Sequence, residues 1–352
     1  MPAYPGVIGP VMLALLPPQF LRTPTTSAAG VAQSAASFGG GSPPPEKESC
    51  RRGVLAPKFS PRAVVGGGVV VKDVWAENLE EEMHTMRRML PSYPVVCVDT
   101  EYPGTVHGGG GGGRGRHYMR SPRETYAVVK KDVDALKLLQ LGITLSGPVG
   151  RCPIVWQFNF SGFDPRSDPH SPSSIAMLKE HGMDFDKLQR SGINHSVFAE
   201  AFYRYGLGCR QLMWVAFSGA YDFAYLTKMV TGGRRLPETL EGFMAQVRSI
   251  FGPAVLDVKH MARFCGGGIR GGLERVAAAL GVKRAAGRAH HAGSDSLLSA
   301  DVFNTMLERF FPRTNILNHA GAIEGLVYVY VYAFKWLSHE LHHPWAYKSA
   351  TH

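Results

Sequence analysis

The spacing of hydrophobic positions changes from helical to strand-like just before residue 100. Leu79, Met83, Met86 and Leu90 fall at i, i+4, i+7 and i+11, which is one face of an amphipathic helix. The next proline ends this pattern, and the short apolar run 95–98 follows it. This order predicts a helix followed by a buried central strand.

Farther along the chain, strand-like and helical patterns alternate. Two apolar runs, 138–145 and 154–160, precede a stretch in which helical spacing dominates. The helical patterns are 174–178, 198–205, 223–230, 240–250, 273–280 and 296–310, and the last strand-like runs are 212–217 and 254–256. Strands that come first and helices that are interleaved later predict one mixed α/β domain, at residues 73–326.

Three segments of the chain are not assigned to the α/β core. Residues 1–72 are rich in Pro, Gly, Ala and Ser, which predicts a disordered extension. We interpret residues 108–116 as a Gly-rich insertion, because no lysine-serine pair follows the glycine run as in a nucleotide-binding loop. Residues 327–352 form an unassigned tail. In it, His339 and His343 match a zinc pattern, but a proline follows at once, so we expect no zinc site.

Composition narrows the classes of function without choosing one. With 45% hydrophobic and 19% charged residues, the chain can bury a sizeable core. Half of its net charge of +10 lies in residues 1–72, so the excess in the domain is too small to indicate nucleic-acid binding by itself. The apolar stretch 326–337 is too short to cross a bilayer. Five cysteines without a CxxC pair suggest no disulfide framework, and we expect a reducing compartment.

Four acidic residues stand next to predicted core elements. Asp99 and Glu101 directly follow a strand at i and i+2, so both carboxylates leave one face if the strand continues. Two anions in one small space favour a proton or a divalent cation between them, although the same spacing also occurs in solvated turns. Asp222 follows the apolar run 212–217, and Asp295 lies at a helix start. Either residue could simply cap its helix.

Four separate blocks of the chain match one family. They are VDTEYPG at 98–104, LLQLGIT at 138–144, YDFAYL at 221–226 and HHAGSDSLL at 290–298. Together they resemble the CCR-associated-factor type of deadenylase, the catalytic subunit of the CCR-NOT complex within the DEDD exonucleases. WQFNF at 156–160 and DVKH at 257–260 also resemble this family, so the resemblance covers about residues 73–326.

The resemblance implies a ribonuclease H-like mixed β-sheet flanked by α-helices. It makes Asp99, Glu101, Asp222 and Asp295 the ligands of two divalent cations, Mg²⁺ or Mn²⁺, and His290 the general base. The implied activity is 3′–5′ exonucleolytic shortening of messenger-RNA poly(A) tails with release of 5′-AMP. Four carboxylates around two cations suit phosphodiester hydrolysis, and an imidazole can accept the water's proton near neutral pH.

Two positions depart from the family pattern. Tyr102 stands where the family commonly has Phe, and it could stack on a base beside the metals. An aromatic residue next to a strand is also an ordinary core residue. Residues 217–220 replace a histidine-containing stretch, and neither change removes a ligand implied by the resemblance.

Two other functions stay open on the residues alone. The chain could be a DEDD exonuclease for other RNA or for DNA, or an inactive scaffold that recruits partners. The family implies poly(A) RNA as substrate, and the CCR-NOT scaffold and CCR-type nuclease subunits as partners. We expect no membrane association, and we expect a location in the cytoplasm and the nucleus.

Overall fold

A six-stranded mixed sheet forms the centre of the computed structural model, which describes residues 68–108, 120–148, 150–311 and 316–327. The strands are β1 (Val70–Val74), β2 (Val95–Glu101), β3 (Gln140–Gly147), β4 (Gly150–Asn159), β5 (Met213–Ala216) and β6 (Val255–Asp257). Their spatial order is β1-β4-β3-β2-β5-β6. β3 pairs antiparallel with both β2 and β4, and the other pairs are parallel.

Helices are distributed along the whole described chain. They are α1 (Leu79–Met89), α2 (Pro122–Ala135), α3 (Pro172–Glu180), α4 (Phe185–Ser191), α5 (His195–Arg204), α6 (Ala220–Val230), α7 (Leu240–Phe251), α8 (Val258–Ala262), α9 (Leu273–Ala279) and α10 (Ala292–Phe310). A 3₁₀ turn, Ile316–His319, follows α10. In the described residues, no helix has the length and apolar character needed to span a bilayer.

β2 separates the two hydrophobic layers of the molecule. Because successive strand residues point to opposite faces, Val96 and Val98 pack into the layer that contains α1, α2, α6 and α7. Val95 and Cys97 pack into the other layer, with α8, α9 and α10. α10 lies across β2, β3 and β4, and this packing brings its first turn to the carboxyl end of β2.

The predicted α/β class, with a mixed sheet flanked by helices, is confirmed. The helix predicted at 79–90 is α1, and the strand predicted at 95–98 is β2, which continues to Glu101. The first described strand begins slightly before the predicted domain start at residue 73. β1 already begins at Val70, where it pairs with Ile154 of β4.

Parts of the predicted organisation lie outside the described residues. They are residues 1–67 of the N-terminal extension, residues 109–116 of the Gly-rich insertion and residues 328–352 of the tail, which include the two histidines of the zinc pattern.

Candidate active site

Asp99 and Glu101 lie at the carboxyl end of β2, as predicted. In the register with β3, Asp99 is opposite Gly142 and Glu101 is opposite Gln140. Both acids have the strand parity of Cys97, so they leave β2 on the face that α10 covers. The prediction that both carboxylates share one face is therefore confirmed by the strand.

Asp295 comes to β2 because α10 starts directly against the neighbouring strand. A Cβ atom on Gly142 would lie 1.9 Å from the carbonyl oxygen of Ala292. The N–H of Gly293 donates to Oε1 of Gln157 on β4, at 3.1 Å. Gly142 therefore has a role that the sequence analysis missed, although a glycine inside a strand signals a close backbone approach.

Asp222 reaches the same place from the other layer. It lies in the first turn of α6, is 7% exposed, and accepts a hydrogen bond at 2.7 Å from the hydroxyl of Thr100 on β2. The residue at the N-cap of α6 is Gly219, and no side chain caps the helix. The alternative that Asp222 only caps its helix is therefore wrong. Asp295 does have a capping contact, since its Oδ2 accepts from the N–H of His290 at 3.0 Å.

Burial and neighbouring carboxylates raise the pKa values of three of these acids. Burial raises the pKa of Asp99 well above its ordinary value, and the carboxylates of Asp222, Asp295 and Glu101 raise it further. Burial, followed by Asp295 and Asp222, raises the pKa of Glu101 to about 8. Burial raises the pKa of Asp222 to about 7, although the Thr100 hydroxyl acts in the opposite direction. Four negative charges in this space therefore require a counter-ion or protons.

Arg284 supplies part of that positive charge from within the chain. Its Nη2 donates to Oδ1 of Asp295 at 2.6 Å and also contacts the carboxylate of Glu274. Its charge lowers the pKa of Asp99, against the larger effect of burial. Sequence analysis missed Arg284, because an arginine in a loop carries no spacing that identifies its partner.

Asp257 holds the turn that leads into α6. Its carboxylate accepts from the N–H groups of Ser218 and Gly219, at 3.1 and 2.9 Å, and from three further backbone N–H groups. Ser218 has a φ of +61°, a left-handed conformation that needs such support in a non-glycine residue. Asp257 therefore helps to place Asp222, a role that the sequence analysis did not assign.

His290 completes the group of residues that the sequence predicted. One ring nitrogen of His290 and one carboxylate oxygen each from Glu101 and Asp295 all lie within 4.8 Å of one another. The His290 side chain is exposed, so it lies at the mouth of the site. The structure thus brings together all five predicted residues from β2, α6 and the start of α10. A site of this kind could bind hard cations and deprotonate a water molecule.

Tyr102 lies beside these acids but is partly buried. Its ring stacks on Tyr221, with centroids 4.9 Å apart, and contacts Tyr225 at 5.0 Å. The Tyr221 hydroxyl donates to Oδ2 of Asp132 at 2.8 Å, which fixes this aromatic group. The core interpretation of Tyr102 agrees with this packing, and its stacking on a base stays a prediction.

Comparison with known proteins identifies the family. Residues 74–201 match the CAF1 family ribonuclease. Probable CCR4-associated factor 1 homolog 7 of Arabidopsis thaliana is 37% identical over 267 residues, which cover 73% of this chain and 94% of that protein. The chain belongs to the CAF1 family. Homolog 10 of the same plant is 35% identical over 266 residues, which cover 73% of this chain and 92% of that protein.

Solved structures of this CAF1 family share the fold. S. pombe Pop2p in a Mg²⁺- and Mn²⁺-bound form matches with a TM-score of 0.64 and 34% identity, covering 73% of this chain and 99% of that one. The RNase domain of yeast Pop2 matches with a TM-score of 0.59 and 26% identity, covering 73% and 94%. The family predicted from the four sequence blocks is confirmed, and so is its deadenylase-type exoribonuclease function.

Proposed function

We propose that this CAF1 chain removes 3′-terminal nucleotides from poly(A) tails with two divalent cations, Mg²⁺ or Mn²⁺, as cofactors. The observation that carries the proposal is the convergence of four carboxylates, three of which have raised pKa values. Asp99, Glu101, Asp222 and Asp295 would hold the cations. The metal-bound form of S. pombe Pop2p supports this choice.

The donor set fits such cations. Carboxylate oxygens are the hard ligands that Mg²⁺ and Mn²⁺ prefer, and the single guanidinium of Arg284 cannot neutralise four acids. The pKa of the attacking water is lowered, and the charge on the leaving 3′ oxygen is neutralised, by cations bound in sites of this kind.

The protein's own groups orient these ligands and move the proton. The Thr100 hydroxyl holds Oδ1 of Asp222, and the Arg284 guanidinium holds Oδ1 of Asp295. His290 accepts the proton of the attacking water on an unprotonated ring nitrogen, because its exposed ring faces the acids and solvent at once. The phosphate of the last nucleotide lies where these groups meet.

The proposed substrate and partners follow the family. We infer that an adenine tail is preferred over mixed RNA and over DNA, and that Tyr102 stacks on the terminal base. Membership of a CCR-NOT assembly, with its scaffold and CCR-type nuclease subunits, is supported by the names of the plant relatives and by yeast CAF1 co-crystallised with a NOT1 MIF4G domain. We also propose a location in the cytoplasm and the nucleus, which is what the resemblance to the family implied.

A labelled-substrate assay tests the reaction and the substrate separately. RNA with a 3′ adenine tail, RNA with a mixed tail and single-stranded DNA are compared in Mg²⁺ and in Mn²⁺. We expect stepwise release of 5′-AMP, fastest from the adenine tail. Equal rates on all three would overturn the poly(A) preference alone, and no turnover of any would favour an inactive scaffold.

Metal binding is tested with variants of two acids that lie on different elements. Asp99→Ala and Asp222→Ala are expected to abolish turnover and to weaken Mn²⁺ binding in calorimetry, while the protein stays folded because repulsion among the acids is relieved. Asp186→Ala, which removes an exposed acid on α4, is the control. Retained activity in either folded variant would contradict the metal assignment.

A further inference from the structure

His290 has a strained backbone that neighbouring groups must hold. Its φ is +61°, and in the described part of the chain only Ser218 shares a positive φ among non-glycine residues. A non-glycine residue keeps a left-handed backbone conformation only where several surrounding contacts stabilise it. One of these contacts is a hydrogen bond of 3.0 Å, which the N–H of His290 donates to Oδ2 of Asp295. This contact ties His290 to α10.

A second contact ties the same turn to a different helix. Nε2 of His291 lies 2.6 Å from the carbonyl oxygen of His181, and because a carbonyl only accepts, Nε2–H is the donor. His181 is the residue at the C-cap of α3, where helix carbonyls lack partners within the helix. The residue next to His290 is thus anchored to the end of α3.

A third contact is made between the imidazole rings themselves. The rings of His181 and His290 have centroids 4.6 Å apart and planes at 76°, an edge-on arrangement. Nδ1–H of His181 donates to the carbonyl oxygen of Met177 at 2.8 Å, which fixes the His181 ring on the last turn of α3. An exposed imidazole otherwise rotates among several side-chain conformations. The His181 ring therefore limits how the His290 ring can turn.

We propose that His181 and His291 are positioning residues that hold the His290 imidazole against Glu101 and Asp295. This inference rests on the proposed role of His290 as general base. His181 acts through its ring, and His291 acts through the anchor on the α3 carbonyl. Sequence analysis assigned a role to His290 alone and none to His181 or His291.

Because both residues act through His290, they should affect the chemical step more than binding. A general base typically contributes about 10²- to 10⁴-fold to the rate, and a misplaced one loses part of this. We expect His181→Ala and His291→Ala to lower the single-turnover rate on A-tailed RNA by roughly 10-fold or more. KM and Mn²⁺ affinity should stay near the wild-type values.

Conservative variants and a control separate positioning from folding. His181→Phe keeps a ring edge against His290, and His291→Gln keeps a side-chain N–H donor, so both should recover part of the rate that alanine loses. His84→Ala removes an exposed imidazole on α1 and should leave the rate unchanged. Thermal unfolding of every variant shows whether the fold is intact.

Double variants decide the question. If His181 and His291 act through His290, adding His181→Ala or His291→Ala to His290→Ala should cost no further activity. Additive losses in the double variants would overturn the positioning role alone. The same conclusion would follow if His181→Ala and His291→Ala both kept the wild-type rate while His290→Ala was inactive. A fully active His290→Ala would overturn the general-base assignment and the positioning role with it.

Discussion

Replacing Gly142 by alanine inserts a methyl group where α10 meets the sheet. The new Cβ atom would lie 1.9 Å from the carbonyl oxygen of Ala292 and 2.5 Å from the backbone nitrogen of Gly293. An ordinary contact needs about 3.4 Å, so the start of α10 must withdraw by about 1.5 Å. Both obstructing atoms belong to backbone, so no side-chain rotation relieves the overlap.

The displacement acts on stability and on catalysis together. Overpacking of this kind typically costs about 1–3 kcal/mol, and each kcal/mol lowers the unfolding midpoint of a domain of this size by about 2–4 °C. Gly142 pairs with Asp99, so a retreat of α10 moves Asp295 and His290 away from the acids of β2. Since about 1 Å of misplacement can cost about 10²-fold in rate, we expect a loss of at least that size.

Single-turnover assays on A-tailed RNA, run well below the unfolding midpoint, measure the catalytic part. Gly266→Ala is the matched control, because a Cβ atom at that position would meet nothing within 4 Å. A Gly142→Ala protein with the wild-type rate and the wild-type midpoint would refute the argument that this close approach positions the site.

Three further predictions concern the site and its boundaries. Burial and neighbouring carboxylates raise the pKa of Glu101 to about 8, and burial raises that of Asp222 to about 7, so stability that these groups confer at low pH is lost as the pH rises through 7 and 8. Unfolding midpoints measured in EDTA are therefore expected to fall as the pH rises. Glu101→Gln should make this dependence of the midpoint on pH less steep, and an unchanged dependence would argue against the burial of Glu101. His290→Ala is expected to lower the single-turnover rate by about 10²- to 10⁴-fold while the midpoint stays near wild type, and a smaller loss would remove its role as base. A chain that starts at residue 68 should retain catalysis, whereas one that starts at residue 75 lacks β1 and should unfold at a lower temperature; equal midpoints would show that the pairing of β1 with β4 adds nothing.

The spacing of apolar residues along the sequence predicted those helices and strands that pack one face against the core. α1 and β2 follow the helical and strand periods closely, and the i, i+2 spacing placed Asp99 and Glu101 on one face. Helix α2 was missed. Its start could have been recognised in the sequence, since Ser121 and Glu124 have the spacing of a capping box, and they form one in the structure.

Other features have no local signature. β1 is half-exposed at the sheet edge, and its strand conformation depends on pairing with β4, more than 80 residues away. Arg284 and His181 owe their roles to contacts across the fold, and neither stands at a spacing that identifies its partner. The family blocks predicted the acids, whereas the groups that orient them became visible only in three dimensions.

The acids come from segments that are made at very different times. Thr100 and Asp222 already bond across 122 residues, and Asp295 follows still later at the start of α10. Contacts so distant in sequence form only after the intervening chain has been synthesised and folded. A nascent chain on the ribosome therefore carries Asp99 and Glu101 long before the four acids meet, and the site is complete only after α10 has emerged and packed on β3.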